Sequence, residues 1–153
     1  AQITTYANEV IPAIRAIDPD KVILVGTPVW SQRVDEAAKA PLSYPNLAYT
    51  LHFYADTHRD ELRQIMTDAI ANGLPVFVSE FGICDASGNG PVNDEQTNIW
   101  IDLLNRYQIS YILWNLSNKN ETSAILAPIC DKIKGFEDSD FSECGKRVRG
   151  YMQ

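Results

Sequence analysis

The run Pro75-Val76-Phe77-Val78-Ser79-Glu80-Phe81-Gly82 is apolar until it reaches a carboxylate. Its β-branched and aromatic residues, opening after Asn72-Gly73 and closing on a glycine, predict a buried strand. A charge at the tip of such a strand costs free energy unless it is paired or used. In a barrel of parallel strands, that tip is where catalytic groups are placed. Three other predicted strand ends carry chemically useful groups: Thr27 to Trp30, His52 with Tyr54, and Trp114 with Asn115. His52 and Tyr54 lie two apart and so share one side of their strand. Together these residues suit carbohydrate chemistry. Trp30 and Trp114 offer flat apolar faces to the C–H faces of pyranose rings. Glu80 is a carboxylate for an anomeric carbon, and Tyr54 is a donor that keeps it ionised and oriented, as a nucleophile requires.

The elements that must position these groups alternate along the chain. Tyr6, Val10, Ile14 and Ile17 recur at helical spacing, and Asp18-Pro19-Asp20 ends that helix. Lys21 to Thr27 is the first strand, carried by Val22-Ile23-Leu24-Val25, and a short helix is expected over Val34 to Lys39. Asn46 to Tyr54 is the second strand. Leu62, Ile65, Met66, Ala69 and Ile70 form one face of the next helix, which Gly73 stops. After the Glu80 strand comes a helix with Ile99, Trp100, Leu103, Leu104 and Tyr107, in which Trp100 is assigned to the core. Ile109 to Asn115 is the fourth strand and Cys144 to Met152 the last helix. Continuous apolar strands alternating with amphipathic helices predict an α/β fold with a parallel sheet covered by helices. A doubly wound sheet would bring a Gly-rich phosphate loop. Ser87-Gly88-Asn89-Gly90 has the wrong spacing for one, which favours a (β/α)₈ TIM barrel. Such a barrel takes about 250 residues. Four strand–helix units in 153 residues make half of it.

Composition narrows the partners. With 45% apolar residues there is material for a real core, and the net charge of −7 repels nucleic acid. No apolar stretch approaches a membrane span, and the first residues do not read as a signal peptide. Among the three cysteines, Cys130 and Cys144 flank a polar loop that a disulfide could close, which would imply an oxidising compartment; the sequence leaves that pairing open. Cys84 would remain free, as a small buried loop residue. No Cys/His spacing resembles a metal site, and no cofactor is expected.

The order Gly26-Thr27-Pro28-Val29-Trp30-Ser31-Gln32, Leu51-His52-Phe53-Tyr54, Val78-Ser79-Glu80-Phe81-Gly82 and Leu113-Trp114-Asn115-Leu116-Ser117-Asn118-Lys119 resembles glycoside hydrolase family 5. Within the family it is most similar to the endo-β-1,4-glucanases (cellulases) of bacterial and anaerobic-fungal type. The resemblance covers essentially the whole chain. It implies retaining hydrolysis of internal β-1,4-glucosidic bonds in cellulose or related β-glucans by a secreted, extracellular protein. Mannan and xylan are the substrate alternatives. By this resemblance Glu80 is the nucleophile, Tyr54 its hydrogen-bond partner and His52 a neighbour of the acid/base residue. Trp114 is the sugar platform beside Asn115, Trp30 lines the cleft, and Lys119 and Glu121 bind sugar hydroxyls. Phe81 stands where many relatives carry Trp.

One part of the pattern is missing. The family's general acid/base is the Glu of an Asn-Glu-Pro motif at the fourth barrel strand, and these residues contain none; Asn8-Glu9 is followed by Val10. A family Arg and a further His from earlier strands are missing too. The chain is therefore expected to be a single C-terminal portion of the catalytic barrel, residues 1–153, with the N-terminal half absent from it. Two expectations follow. The isolated chain cleaves little or nothing, serving otherwise as an inactive glucan-binding or folding fragment. It also associates, either with the N-terminal half or with a second copy, because both edge strands are apolar and unpaired on one side.

Overall fold

The structure is a computed structural model and describes residues 2–151. In chain order the elements are α1 (Gln2–Ile17), β1 (Ile23–Val25), α2 (Pro28–Ser31), α3 (Val34–Lys39), β2 (Leu47–Tyr54) and α4 (Asp60–Ala71). There follow β3 (Val76–Gly82), α5 (Asp94–Arg106), β4 (Tyr111–Leu113), a 3₁₀ turn at Asp138–Asp140 and α6 (Glu143–Tyr151). The strands form one sheet in the order β1-β2-β3-β4, as successive strand–helix units require when each new strand is laid beside the last. β1 runs parallel to β2, with Ile23 opposite Leu47 and Val25 opposite Tyr49. This is the expected α/β alternation of parallel strands and helices.

The chain divides into two compact units, Ala1–His52 with Asp60–Ser79, and Phe53–Arg59 with Glu80–Gln153. In the first, α3 packs on α4, and Val34, Leu51, Met66 and Val78 are wholly buried. Arg15 near the end of α1 donates to the carbonyls of Lys21 (2.7 Å) and Pro45 (2.8 Å), tying the approaches to β1 and β2 together. Gly73, at φ +82°, ends α4 with its own N–H on Ile70 O at 2.9 Å. That backbone conformation is one glycine adopts without a Cβ penalty.

In the second unit the core is aromatic. Phe53 stacks on Trp100 with ring centroids 3.9 Å apart and on Phe81 at 5.3 Å. Trp100 is 0% exposed, and its indole N–H donates to His58 O at 2.7 Å. α5 starts on Asn93, whose side chain accepts the Gln96 N–H at 3.0 Å, and carries Asp94 and Glu95 in its first turn and Arg106 in its last. Both arrangements favour a helix start and stop at those positions. Gly145 in α6 lies so close to the carbonyl of Ile125 that a Cβ would overlap it. Replacing Trp100 with Ala removes a fully buried ring and its hydrogen bond to the His58 carbonyl. We expect a loss of about 3–5 kcal/mol in urea unfolding.

Four expectations need correction. β1 and β4 are each three residues long, shorter than the predicted 21–27 and 109–115. They end the sheet, and a strand extends only as far as its one neighbour supplies partners. α1 buries Ala7 and Ile11, while Tyr6 and Ile17 are 68% and 89% exposed, so its inward face is rotated from the one the larger side chains suggest. α6 begins at Glu143, and Met152 lies outside the described residues. Cys130 and Cys144 are both free and buried. The Cys130 thiol bonds to the Asp140 carboxylate, and Cys144 Sγ lies 3.9 Å from Ser123 O, so each thiol has its own local acceptor. Cys84 is free and buried as expected, its thiol pushed up to about 11 by burial.

Candidate active site

Glu80 sits near the end of β3 and Tyr54 at the end of the neighbouring β2. The Tyr54 hydroxyl donates to Glu80 Oε1 at 2.9 Å. Burial, and then the bond to Glu80, push the Tyr54 phenol well above its ordinary value. It therefore stays protonated, a permanent donor to the carboxylate. A carboxylate so held keeps one oxygen occupied and fixes the direction of the other, which is the arrangement an attacking group needs.

Trp114 directly follows β4 and is 45% exposed, with its N–H on Phe81 O at 2.9 Å; its peptide bond to Asn115 is cis. Asn115 Nδ2 donates to Glu121 Oε1 at 3.0 Å and to Ser123 Oγ at 3.3 Å. Ser123 Oγ donates to the same Glu121 oxygen at 2.9 Å, and Ser117 Oγ donates to Asn115 Oδ1. Lys119 Nζ stands 3.9 Å from Glu121. The bonds from Asn115 and Ser123 hold the Glu121 carboxyl below the usual carboxylate range. Asn115, Lys119 and Glu121 thus form a polar cluster in the loop after β4, with charged donor and acceptor groups suited to hydroxyl recognition.

In the first unit, His52 Nε2 lies 2.8 Å from Ser79 Oγ, which orients the ring. Trp30 belongs to a turn that the sequence does not announce. Val29, Trp30 and Ser31 all have positive φ (56°, 49° and 60°), a left-handed path unfavourable for a β-branched residue. Buried hydroxyls hold it. Thr50 Oγ1 donates to Ser31 Oγ at 2.8 Å, Thr27 Oγ1 donates to Thr50 O at 3.1 Å, and the Ser31 N–H reaches Thr27 O at 3.1 Å. The indole of Trp30 is left 83% exposed.

The structure therefore pairs Tyr54 with Glu80, gathers Asn115, Lys119 and Glu121, and sets His52 on Ser79 and Trp30 on a braced turn. Sequence reasoning missed Ser79, Ser123, His58 and Gly82. Only Gly82 carried a signal, since glycine at a strand end marks close approach by another group. Among the described residues no group of three or more His, Cys, Asp or Glu is placed to hold a metal ion.

A strand-end carboxylate held by a phenol, in a parallel sheet with covering helices, is the kind of site that (β/α)₈ enzymes build at their C-terminal rim. The family description "Cellulase (glycosyl hydrolase family 5)" matches residues 1–120, and the chain belongs to that family. It is 46% identical over 142 residues to Endoglucanase A of Butyrivibrio fibrisolvens, covering 92% of this chain and 33% of that protein. It is 44% identical over 151 residues to Endoglucanase Z of Dickeya dadantii, covering 99% and 34%. Among solved structures, the catalytic domain of Thermobifida fusca endoglucanase Cel5A, in complex with cellotetraose, superposes with a TM-score of 0.91. Identity is 33%, over 99% of this chain and 52% of that one. A Cytophaga hutchinsonii protein gives 0.94 at 43% identity, over 97% and 48%. The chain spans about a third of these curated relatives and matches about half of a family 5 TIM-barrel catalytic domain.

Proposed function

We propose that this chain supplies the nucleophile half of a retaining endo-β-1,4-glucanase site, acting on internal bonds of cellulose or related β-glucans. The bond from Tyr54 to Glu80 at 2.9 Å, in a chain of family 5, carries the reading. The other oxygen of Glu80 attacks the anomeric carbon as the C1–O bond to the leaving sugar breaks, forming a glycosyl ester. Water then attacks C1 and releases the carboxylate. Tyr54 keeps Glu80 ionised and aimed. Trp114 is the platform under the sugar, Trp30 lines the cleft, and Asn115, Lys119 and Glu121 take sugar hydroxyls. His52 sits beside the acid/base residue and assists its proton transfers.

Retaining hydrolysis needs a second carboxyl about 5–5.5 Å from the first. The family's acid motif is absent from these residues, so that group comes from the other half of the barrel. Without it the leaving sugar departs as an alkoxide, and general acid assistance is typically worth ~10²–10⁴-fold. The site of action is extracellular, because an insoluble polymer cannot be brought to an enzyme inside a cell.

A 2,4-dinitrophenyl 2-deoxy-2-fluoro-cellobioside tests the assignment without needing the acid. Its phenolate leaves unaided and the fluorine slows release of the ester. Incubated with the chain and the acid-bearing half, it should add one fluoro-cellobiosyl group to the peptide containing Glu80, seen by mass spectrometry. A label on another side chain, or no label, would remove Glu80 from this role. Glucan retention without any label would leave the chain as a binding fragment.

A further inference from the structure

Resting on the reading of Glu80 as nucleophile, we infer that His58 and Gly82 are positioning residues that set the Tyr54 hydroxyl on Glu80. Every polar backbone group of Tyr54 is held. Its N–H donates to His58 Nδ1 at 2.8 Å. Its carbonyl accepts the N–H groups of Thr57 at 3.0 Å and His58 at 2.8 Å. The next residue, Ala55, donates to Gly82 O at 2.8 Å.

Gly82 controls the ring. A Cβ at that position would overlap the Tyr54 ring carbons Cδ1 and Cε1, so the phenol reaches Glu80 only by passing over a residue without a side chain. The ring is the rigid middle of its side chain, unable to yield as a flexible end would. An added methyl must swing the hydroxyl aside.

His58 controls the backbone. As an acceptor, its Nδ1 carries no proton, so the neutral ring has its proton on Nε2. Burial lowers the His58 pKa and favours this neutral form. The His58 carbonyl is in turn held by the Trp100 indole N–H, and Trp100 stacks on Phe53, the residue before Tyr54. The core thus reaches Tyr54 from both sides of its backbone. A hydroxyl displaced by ~1 Å is the scale of misplacement that can cost ~10²-fold in rate.

Three substitutions separate positioning from general stability. His58→Asn keeps an acceptor where Nδ1 stood, His58→Phe keeps a ring without one, and Gly82→Ala adds the methyl. With the acid-bearing half present and an activated cellobioside as substrate, H58F and G82A should lower kcat ~10–100-fold at unchanged KM, while H58N stays near the parent. In a Tyr54→Phe background, neither H58F nor G82A should lower kcat further, because no hydroxyl remains to misplace. NMR titration of ¹³C-labelled tyrosine should show the Tyr54 phenol shifted toward its ordinary value in H58F and G82A. This titration needs no catalysis, so it can fail while the Glu80 labelling succeeds, or succeed while labelling fails. Additive losses in the Tyr54→Phe background, or an unmoved Tyr54 titration, would overturn the inference. Should H58F lose its fold, His58→Gln, whose acceptor is displaced by one bond, is read by the same outcomes.

Discussion

Glu80→Gln is expected to abolish turnover of carboxymethylcellulose by the assembled barrel while leaving cellotetraose binding largely intact. Removing the nucleophile of a covalent hydrolase can cost ~10⁶-fold in kcat, and the loss here should approach that scale. The substitution is nearly isosteric, and the amide oxygen still accepts the Tyr54 hydroxyl that now reaches Glu80 Oε1 at 2.9 Å. What disappears is the second anionic oxygen able to attack C1, so the effect falls on kcat with KM little changed. A rate within tenfold of the parent would exclude Glu80 as nucleophile.

Stereochemistry separates the nucleophile from an acid/base role. Glu80→Ala leaves space for a small anion where the carboxylate stood. With azide and an aryl β-cellobioside, azide should attack C1 from that face as the aryl oxide leaves, giving an α-cellobiosyl azide. A β-azide would mean that a covalent intermediate still forms on another residue. Glu80 would then be the group that assists the leaving oxygen.

How much of this could be read from the chain depended on what the signal was. β2, α4 and β3 were legible because each combines an apolar run or period with Asn, Asp or Gly punctuation. The paired ends of β2 and β3 were legible for the same reason, and with them Tyr54 and Glu80. The helix face of α1 was not. Its inward positions are the small Ala7 and the single Ile11, while the large Tyr6 and Ile17 face outward, so side-chain size misdirected the reading. The left-handed turn at Val29 to Ser31 was also hidden, because its support comes from Thr50, about twenty residues away, and not from local propensity. His58 had no local pattern at all. Its role depends on a turn that folds Nδ1 back onto Tyr54 N–H, and only the three-dimensional path reveals it. Of the loop after β4, the sequence marked sugar-binding residues at Asn115, Lys119 and Glu121 and a polar stretch flanked by Cys130 and Cys144, with no sign of how the loop is held. It is in fact held by its own bonds, including Asn115 N–H to Ser123 O at 3.1 Å and Ser142 N–H to Ile125 O at 2.9 Å.

Mixed with a fragment carrying the family's Asn-Glu-Pro strand, the chain is expected to form a one-to-one complex that hydrolyses carboxymethylcellulose, whereas the chain alone does not. Two observations motivate this. β1 and β4 end the strand order, and an end strand offers unpaired N–H and C=O groups as a template for another strand. Apolar side chains on or beside them are open to solvent: Val22 at 61%, Leu24 at 38% and Ile112 at 51%. Contiguous apolar patches beyond ~400 Å² are rarely left bare on soluble monomers. A second copy of the chain would cover such strands but would bring another Glu80 and no Asn-Glu-Pro acid, so a self-dimer should be inactive. The family's other half would also match shear and layer packing, which a second copy is not expected to do. Sedimentation gives the stoichiometry, and reducing-sugar release gives the activity, at micromolar chain with and without the other fragment. Activity should appear only in the mixture, and Glu→Gln in the partner's Asn-Glu-Pro motif should remove it. A well-folded monomer of the chain with no affinity for the fragment would refute the association. Full activity of the chain alone would place the acid among its own carboxylates.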